Sequence, residues 1–249
     1  MTIQQASSLS ASTLLEGRRV LVTGAAGGIG MAITQSLERH GAEVIRTDKR
    51  AAPGILPLDV TDEDAVARGF DTAGRITDVV HSAGDLIVGP VAATSLEAFR
   101  AASDNNLLGA FLVGREAARR LQSGDSLTFI ASQAGFRAGA NWGIYCAVKA
   151  GVMRLSEALA HELGPRNIRV NSICPGSVDT PMLTDVYARL GSLSGETPDA
   201  VRQRYSAVIP LRRNATAGEI GDVCVFLVSA LASYVSGASI PVDGGEVSA

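Results

Sequence analysis

Short apolar runs alternate along this chain with longer amphipathic stretches. The apolar runs predict strands at residues 19–23, 43–47, 78–81, 126–131, 169–173 and 239–242. The amphipathic stretches predict helices at residues 29–40, 61–72, within 96–121, 142–163 and 217–230, the second of them capped by Thr61. Because alternating strands and helices require crossover connections, we expect an α/β fold with one doubly wound parallel sheet and helices on both faces.

Two segments depart from this rhythm. Residues 1–16 are polar and rich in Ser, Thr and Gln, which predicts a flexible N-terminal tail before a single domain at 17–249. Residues 183–213 hold two glycines and two prolines around a charged helical stretch at 199–205. An insertion of this length predicts either a lid over an active site or a surface excursion.

Composition narrows the function classes. The 249 residues are 46% hydrophobic and carry a net charge of −3, so nothing indicates a nucleic-acid partner. No secretory signal or apolar run of about 20 residues is present, so we expect no membrane partner and a cytoplasmic protein. The three cysteines and three histidines are scattered, which disfavours disulfides and a metal site.

A glycine-rich turn joins the first predicted strand to the first helix. Residues 23–30 read TGAAGGIG, and Gly24, Gly28, Ile29 and Gly30 fall where the backbone must turn sharply. Glycines permit close approach to a pyrophosphate, and a helix N-terminus offers free N–H groups to it. This context predicts a Rossmann-like dinucleotide site, with a ligand-free turn as the alternative.

The second strand ends at an acid that bears on the choice of cofactor. Asp48 can accept hydrogen bonds from adenosine ribose hydroxyls and would repel a 2′-phosphate, so we expect NAD rather than NADP. The neighbouring Lys49 keeps NADP open as an alternative. Asp59 and Val60 precede the next helix and are candidate adenine contacts, or else simply a loop end.

A tyrosine and a lysine four residues apart lie on one helical face. Tyr145 and Lys149 therefore point into one pocket. A free tyrosine has a pKa of about 10, and we expect the nearby ammonium, together with the positive charge of an oxidised nicotinamide, to lower it towards the range of a useful general base. Ser132, at the end of a strand, is placed to orient a substrate oxygen.

Together the glycine turn, Ser132 and the Tyr145–Lys149 pair resemble the short-chain dehydrogenase/reductase family over about residues 17–245. The resemblance implies an oxidoreductase in which Tyr145 is the general acid or base and Lys149 also binds the nicotinamide ribose. It further implies that Asn106 holds a water linking Lys149 to solvent. The family commonly forms tetramers through the helix at 142–163, so we expect a homotetramer.

The resemblance also assigns further cofactor contacts. Val178 and Thr180 would meet the nicotinamide carboxamide, and the remaining matching positions are Ala83, Gly84, Pro175 and Gly176. One departure is His81-Ser82, where the family usually has two asparagines. His81 is interpreted as a structural histidine, with a pH-sensing role as the alternative.

The substrate is expected to be a small-molecule alcohol or ketone: a polyol, a sugar or a cyclic hydroxy compound. Arg137 could pair with a carboxylate, or could simply be exposed. The candidate pocket residues are Gln133, Phe136, Arg137, Asn141, Trp142, Met182, Leu183 and Tyr187. Two alternatives to a dehydrogenase share this fold: a non-catalytic dinucleotide sensor and a sugar-nucleotide epimerase or dehydratase.

Overall fold

A computed structural model describes residues 14–248, with the side chain of residue 248 left out. Its centre is a sheet of seven parallel strands in the order β3-β2-β1-β4-β5-β6-β7. The strands are β1 (Arg19–Thr23), β2 (Glu43–Asp48), β3 (Leu56–Pro57), β4 (Asp78–His81), β5 (Ser126–Ile130), β6 (Arg169–Pro175) and β7 (Ser239–Val242). This order reverses direction between β1 and β4, which confirms the predicted doubly wound sheet and defines where its ligand crevice opens.

Helices cover both faces of the sheet. They are α1 (Gly28–Arg39), α2 (Glu63–Ala73), α3 (Leu96–Ser103), α4 (Gly109–Arg120), α5 (Gly143–Leu163), α6 (Pro181–Ser194), α7 (Pro198–Val208) and α8 (Ala217–Val228). One core packs α2, α4 and α5 against one face, and a second packs α1 and α8 against the other. Since both faces are covered, the central strands β4 and β5 are buried along their whole length.

Several predicted boundaries are corrected. The two-residue strand β3 and helix α6 were not predicted. The helix expected within residues 96–121 is divided into α3 and α4 by one turn of π-helix, Asp104–Leu108. Helix α2 is capped by Asp62, which accepts from the Ala65 N–H, and not by Thr61. Thr61 instead donates from its own N–H and hydroxyl to the Asp59 carboxylate.

The predicted boundary at residue 17 is also corrected. Leu15 is fully buried in the core beneath α1 and α8, and its N–H donates to the His40 carbonyl. An apolar side chain that joins the core belongs to the domain, so the folded part reaches at least to this residue. The rest of the predicted tail, residues 1–13, lies outside the described residues.

Residues 183–213 fold mostly as two helices with a small core of their own. Thr180 caps α6, Pro181 occupies its first turn, and Gly195 ends it with a φ of +75°. The helix predicted at 199–205 is present as α7. Val186, Tyr187, Leu190 and Val201 form the shared core between α6 and α7.

Three further observations bear on function. Within residues 14–248 no helix has both the length and the apolar character needed to cross a membrane. The same part of the chain brings no three His, Cys, Asp or Glu side chains together as a metal-binding group. The three cysteines are buried and unpaired.

Candidate active site

The glycine turn lies between β1 and α1 and has the tight geometry that its sequence predicts. Gly24 has a φ of +69°, and a Cβ there would lie 2.7 Å from the backbone of Ala83. A Cβ on Gly30 would overlap the Gly24 carbonyl oxygen. No side chain caps the N-terminus of α1, and no acid lies in its first turn. Its N–H groups and positive dipole end therefore remain available to an anion.

A cavity of about 360 Å³ opens at this turn, along the carboxyl ends of the strands. Every residue assigned to the cofactor from the sequence lines it: Gly24, Gly28, Ile29, Gly30, Asp48, Asp59, Val60, Ala83, Gly84, Tyr145, Lys149, Pro175, Gly176, Val178 and Thr180. Residues at the carboxyl ends of five strands and on helix α5 thus converge on one cleft at the switch point of the sheet, where ligands bind in this class of fold.

Asp48 is almost fully buried at the end of β2. Its carboxylate accepts from the Ala26 N–H at 3.0 Å and from the Arg50 N–H at 2.9 Å, and the Arg50 guanidinium lies 3.2 Å away. Burial opposes ionisation, but these bonds outweigh it and hold the pKa of Asp48 below its ordinary value. Asp48 is therefore an anion at neutral pH. The cation that forms an ion pair with the Asp48 carboxylate is Arg50 rather than Lys49.

Asp59, which follows β3, lines the same cavity. The Thr61 N–H and hydroxyl both donate to its Oδ1, at 2.9 and 2.8 Å. These bonds lower the pKa of Asp59 despite its partial burial. One carboxylate oxygen thus has local partners, and Oδ2 is the atom left for an adenine amine.

The N-termini of α1 and α6 meet across the cavity. A Cβ on Gly28 would lie 2.7 Å from Thr180 Cγ2 and 3.0 Å from Thr180 Cβ. The Thr180 hydroxyl donates to the Val178 carbonyl at 3.3 Å, which fixes the side chain in this position. Gly28 is therefore required by close approach to α6, in addition to any approach to a ligand.

Ser132, Tyr145 and Lys149 lie together at the inner end of the cavity. Ser132 follows β5, and its side chain hydrogen bonds with the Tyr145 hydroxyl. Lys149 is one turn behind Tyr145 on α5; its Nζ lies 5.8 Å from the tyrosine ring centroid and donates to the Ile130 carbonyl at 3.1 Å. All three side chains are buried. Because the local dielectric is low, charge interactions and hydrogen bonds are stronger here than they would be in water.

Burial dominates the protonation of this group. Burial raises the pKa of Tyr145 to about 12, and the hydrogen bond from Ser132 only partly opposes it. Burial also lowers the pKa of Lys149 to about 8, although the charge of Asp85 opposes that shift. In the protein without a nicotinamide, desolvation of the phenolate thus dominates, and the full expectation, which adds the nicotinamide charge, stays a prediction.

Asn106 lies in the π-helical turn behind the cavity wall. Its Nδ2 donates to the carbonyls of Ala102 and Asp85 and to Asp85 Oδ1, at 3.0 to 3.1 Å. Its Oδ1 is buried without a partner. A Cβ on Gly84 would lie 2.7 Å from this oxygen and 3.4 Å from Lys149 Nζ. Asn106 Oδ1 is therefore an acceptor close to the lysine, as a water-binding role would require.

A second cavity of about 780 Å³ adjoins the first, and Ser132 and Tyr145 line both. Of the candidate substrate residues, six line it: Gln133, Arg137, Asn141, Trp142, Leu183 and Tyr187. Met182 lines the first cavity instead, at the start of α6, and Phe136 lines neither. The shared wall means that two ligands, one in each cavity, would meet at Tyr145.

The second cavity has an aromatic wall that sequence reasoning found only in part. Trp142 Nε1 donates to the Tyr205 hydroxyl at 3.1 Å, and the Trp142 ring centroid lies 6.0 Å from that of Tyr145. Tyr187 packs against Tyr205 at 6.0 Å. Tyr205 was missed because α7 reaches the site only through the folding of residues 183–213.

Arg137 and Glu246, from the last turn of the described chain, both line the second cavity. The Arg137 guanidinium donates to the Glu246 carbonyl at 3.0 Å. Burial raises the pKa of the Glu246 carboxyl, whereas Gln133 and Arg137 oppose this rise. The arginine therefore belongs to a local polar network, and the polar end of the cavity carries both a cation and an acid.

His81 joins β1 to β4 below the site. Its Nδ1 hydrogen bonds with Thr23 Oγ1 at 2.9 Å, and its ring packs edge-on against Phe129. Burial, followed by the charge of Lys149, lowers the pKa of His81 to about 3. The ring is thus neutral at physiological pH, which favours the structural interpretation over pH sensing.

Fold and site together define a nucleotide-binding α/β protein with a buried tyrosine–lysine pair. A family model described as enoyl-(acyl carrier protein) reductase matches residues 24–246. The chain is 36% identical to the 3-oxoacyl-(acyl-carrier-protein) reductase MabA of Mycobacterium tuberculosis, with 92% of each protein covered. It is 32% identical to the trans-4-hydroxycyclohexanecarboxylate dehydrogenase of Sinomonas cyclohexanicum, with 91% of each covered.

The solved structures agree. The ligand-free aldohexose dehydrogenase of Thermoplasma acidophilum is similar with a TM-score of 0.86 at 26% identity, over 94% of this chain and 96% of that one.

An uncharacterized short-chain type dehydrogenase/reductase of Sinorhizobium fredii is 36% identical over 93% of this chain, which spans only 44% of that protein. The chain belongs to the short-chain dehydrogenase/reductase family, whose members are oxidoreductases that use nicotinamide cofactors.

Proposed function

We propose that this chain is an NAD(H)-dependent dehydrogenase/reductase that interconverts an alcohol and a ketone on a small molecule. The observation that carries this proposal is the shared wall of the two cavities, where Ser132 and Tyr145 face both. A cofactor in the first cavity and a substrate in the second would meet at one proton-transfer group. A protein that only senses a dinucleotide does not require a second ligand cavity at the same tyrosine.

The residues of the first cavity fit a dinucleotide. The uncapped start of α1 suits a pyrophosphate, and the ionised Asp48 suits a ribose with two free hydroxyls. A 2′-phosphate would meet the Asp48 anion, although Arg50 lies beside it. This balance supports NAD over NADP.

Bound nicotinamide would accept or supply the hydride and, when oxidised, add a positive charge near Tyr145. Ser132 then orients the substrate oxygen, and Tyr145 takes its proton in oxidation or returns it in reduction. The buried Lys149 stabilises the phenolate. Asn106 Oδ1 can hold a water that carries the proton onward from Lys149.

The second cavity supports a polyol, a sugar or a cyclic hydroxy compound as substrate. Trp142 and Tyr205 offer flat apolar surface to a ring, and Gln133 and Glu246 offer hydrogen bonds at the polar end. Helices α6 and α7 line the same cavity, and we propose that they act as its lid. The relatives named for a hydroxycyclohexane acid and an aldohexose fit a ring-binding wall of this kind.

The proposal is tested by screening the purified protein with alcohols and ketones of these classes, using NAD and NADP in turn. We expect turnover of at least one pair, with NAD preferred. Tyr145→Phe should lower kcat by about 10² to 10⁴-fold, because it removes the proton donor, while the Kd for NADH stays within about twofold. Absence of turnover together with equal cofactor binding by both proteins would instead indicate a sensor.

By resemblance, the protein should also assemble as a homotetramer and reside in the cytoplasm. Exposed apolar side chains on the helices beside α5, Phe99 and Phe111, suit such packing. Light scattering at micromolar concentration checks the assembly, and a monomer would contradict it.

A further inference from the structure

An acid that the tyrosine–lysine motif does not include lies beside the proton relay. Asp85 follows β4 and the glycine at 84, and it lines the first cavity. The Asn105 Nδ2 donates to Asp85 Oδ2 at 2.6 Å, and the Asn106 Nδ2 donates to Asp85 Oδ1 at 3.1 Å. Both carboxylate oxygens are thus held by amides of the π-helical turn.

These bonds fix which way Asn106 faces. Its Nδ2 is surrounded by three acceptors, the carbonyls of Ala102 and Asp85 and the Asp85 carboxylate. An amide rotated by 180° would place its oxygen against all three, which is repulsive. The Asn106 oxygen is therefore directed away from Asp85, towards the space near Gly84 that Lys149 Nζ also approaches.

Among the charged groups that act on Lys149, Asp85 opposes the effect of burial on the lysine pKa most strongly. The Cys174 thiol also acts on Lys149, and Lys149 in turn acts on the His81 ring. Burial raises the pKa of Cys174 to about 11 and lowers that of His81 to about 3, so both are neutral at pH 7. Tyr145 feels Asp85 together with Cys174 and Cys146, and the pKa of Cys146 is also raised by burial.

We propose that Asp85 is a positioning residue of the proton relay, which holds the Asn106 amide oxygen towards Lys149 and keeps the buried lysine protonated. This inference deepens the proposed function and rests on it for its catalytic meaning. The electrostatic part can be measured without turnover. Removing the carboxylate charge should make the lysine a weaker base, because burial would then act against its charged form with less opposition.

The test exploits a feature of the composition. Lys49 and Lys149 are the only lysines in the sequence, and Lys49 is exposed. In protein labelled with ¹³C at lysine Cε, NMR titration therefore follows two signals, which Lys49→Arg assigns. We expect Asp85→Asn to lower the pKa of Lys149 by roughly half to one pH unit and to leave Lys49 unchanged.

Asp104→Asn is the matched control, because Asp104 is an exposed acid in the same turn. It should leave the pKa of Lys149 unchanged. An unchanged Lys149 in folded Asp85→Asn protein, or an equal shift in Asp104→Asn, would overturn the proposal. If Asp85→Asn does not fold, Asp85→Ser takes its place, and failure of both to fold would also overturn it by making Asp85 a residue of the fold.

Activity adds a second readout where turnover is found. The negative charge of Asp85 disfavours the phenolate of Tyr145, which is the general base in oxidation, so Asp85→Asn should move the acidic limb of kcat/KM for oxidation to lower pH. A fall in kcat at every pH without any shift would mean that Asp85 only supports structure. If the wild type shows no turnover, the proposed function fails, whereas the lysine titration still decides the electrostatic role.

Discussion

Asp48 and Arg50 present opposite charges to the same end of the cofactor cavity. The carboxylate is almost fully buried and anchored by the Ala26 N–H, whereas the Arg50 side chain is 62% exposed. An anchored anion keeps its position when a ligand arrives, while an exposed arginine can turn aside. On the proposed function, the acid would therefore dominate the selection between ribose hydroxyls and a phosphate.

Asp48→Asn should reverse much of that selection. The isosteric amide keeps an acceptor for the Ala26 N–H but removes the charge, so Arg50 can meet a phosphate. We expect the ratio of kcat/KM for NADP to that for NAD to rise by about tenfold or more, since one unfavourable charge contact is removed. Asp59→Asn, the same change at the adenine end, is the control and should leave the ratio unchanged. An unaltered ratio in Asp48→Asn would argue against Asp48 as the selector.

At this scale, sequence reasoning succeeded where the chemistry is local. Tyr145 and Lys149 share a helix face at a fixed spacing, and Asp48 ends a strand that its apolar run predicts. Asp85 could not be found in this way, because its partners Asn105 and Asn106 are brought to it only by the packing of the π-helical turn against the end of β4.

The elements on the two sides of the cavity touch at one point. Helices α1 and α6 approach so closely that Gly28 has no space for a side chain against Thr180. Thr180 belongs to the α6 side, since it caps that helix. If α6 is a lid as proposed, the glycine turn would limit how far it can close over the first cavity.

Gly28→Ala should push the two helices apart and weaken cofactor binding. The added methyl group meets Thr180 Cγ2, so we expect the Kd for NADH to rise by about tenfold, which corresponds to about 1.4 kcal/mol. Thr180→Ser removes Cγ2 but keeps the capping hydroxyl. The double variant Gly28→Ala, Thr180→Ser should therefore recover part of the affinity, measured by fluorescence titration. If affinity does not recover, the added methyl group weakens NADH binding by contacting the ligand directly rather than by displacing α6.

The elements missed from the sequence have physical reasons. Strand β3 has only two residues, too few for an alternating pattern. Helix α6 contains Gly191, which indicates a break, yet a Cβ there would lie 2.6 Å from the Glu196 carbonyl oxygen. The glycine is needed because the chain folds back onto the helix at that point. The apolar face of α6 is covered by α7 and not by the sheet, so the strand–helix rhythm gave no indication of it.

The whole molecule should carry a pH dependence from His81. The folded pKa of about 3 lies below the unfolded value of about 6.5, so the unfolded chain binds a proton first. The stability that neutral His81 allows is complete above about pH 6.5 and is lost as the pH falls towards 3. At pH 4.5, two pH units below the unfolded pKa, the loss should be about 2.7 kcal/mol, at about 1.36 kcal/mol per unit.

His81→Asn tests this loss, because an amide does not titrate. Thermal unfolding at pH 7 and pH 4.5 should show a smaller decrease in Tm for His81→Asn than for the wild type. Carboxylates such as Asp48 lose stability in acid in both proteins, so they cancel in the comparison. His161→Asn, at an exposed histidine, should behave as the wild type does. Equal decreases in all three proteins would contradict the assignment.

Leu15 bears on how the protein can be shortened. Its side chain fills space beneath α1 and α8, and its N–H pairs with the end of α1. The sequence pattern alone would start a truncated chain at Gly17. Such a truncation removes the buried Leu15 side chain from the core and leaves an apolar cavity that is open to water. Trimming for crystallisation, or fusion to another protein, should therefore keep the chain from Leu14 onward.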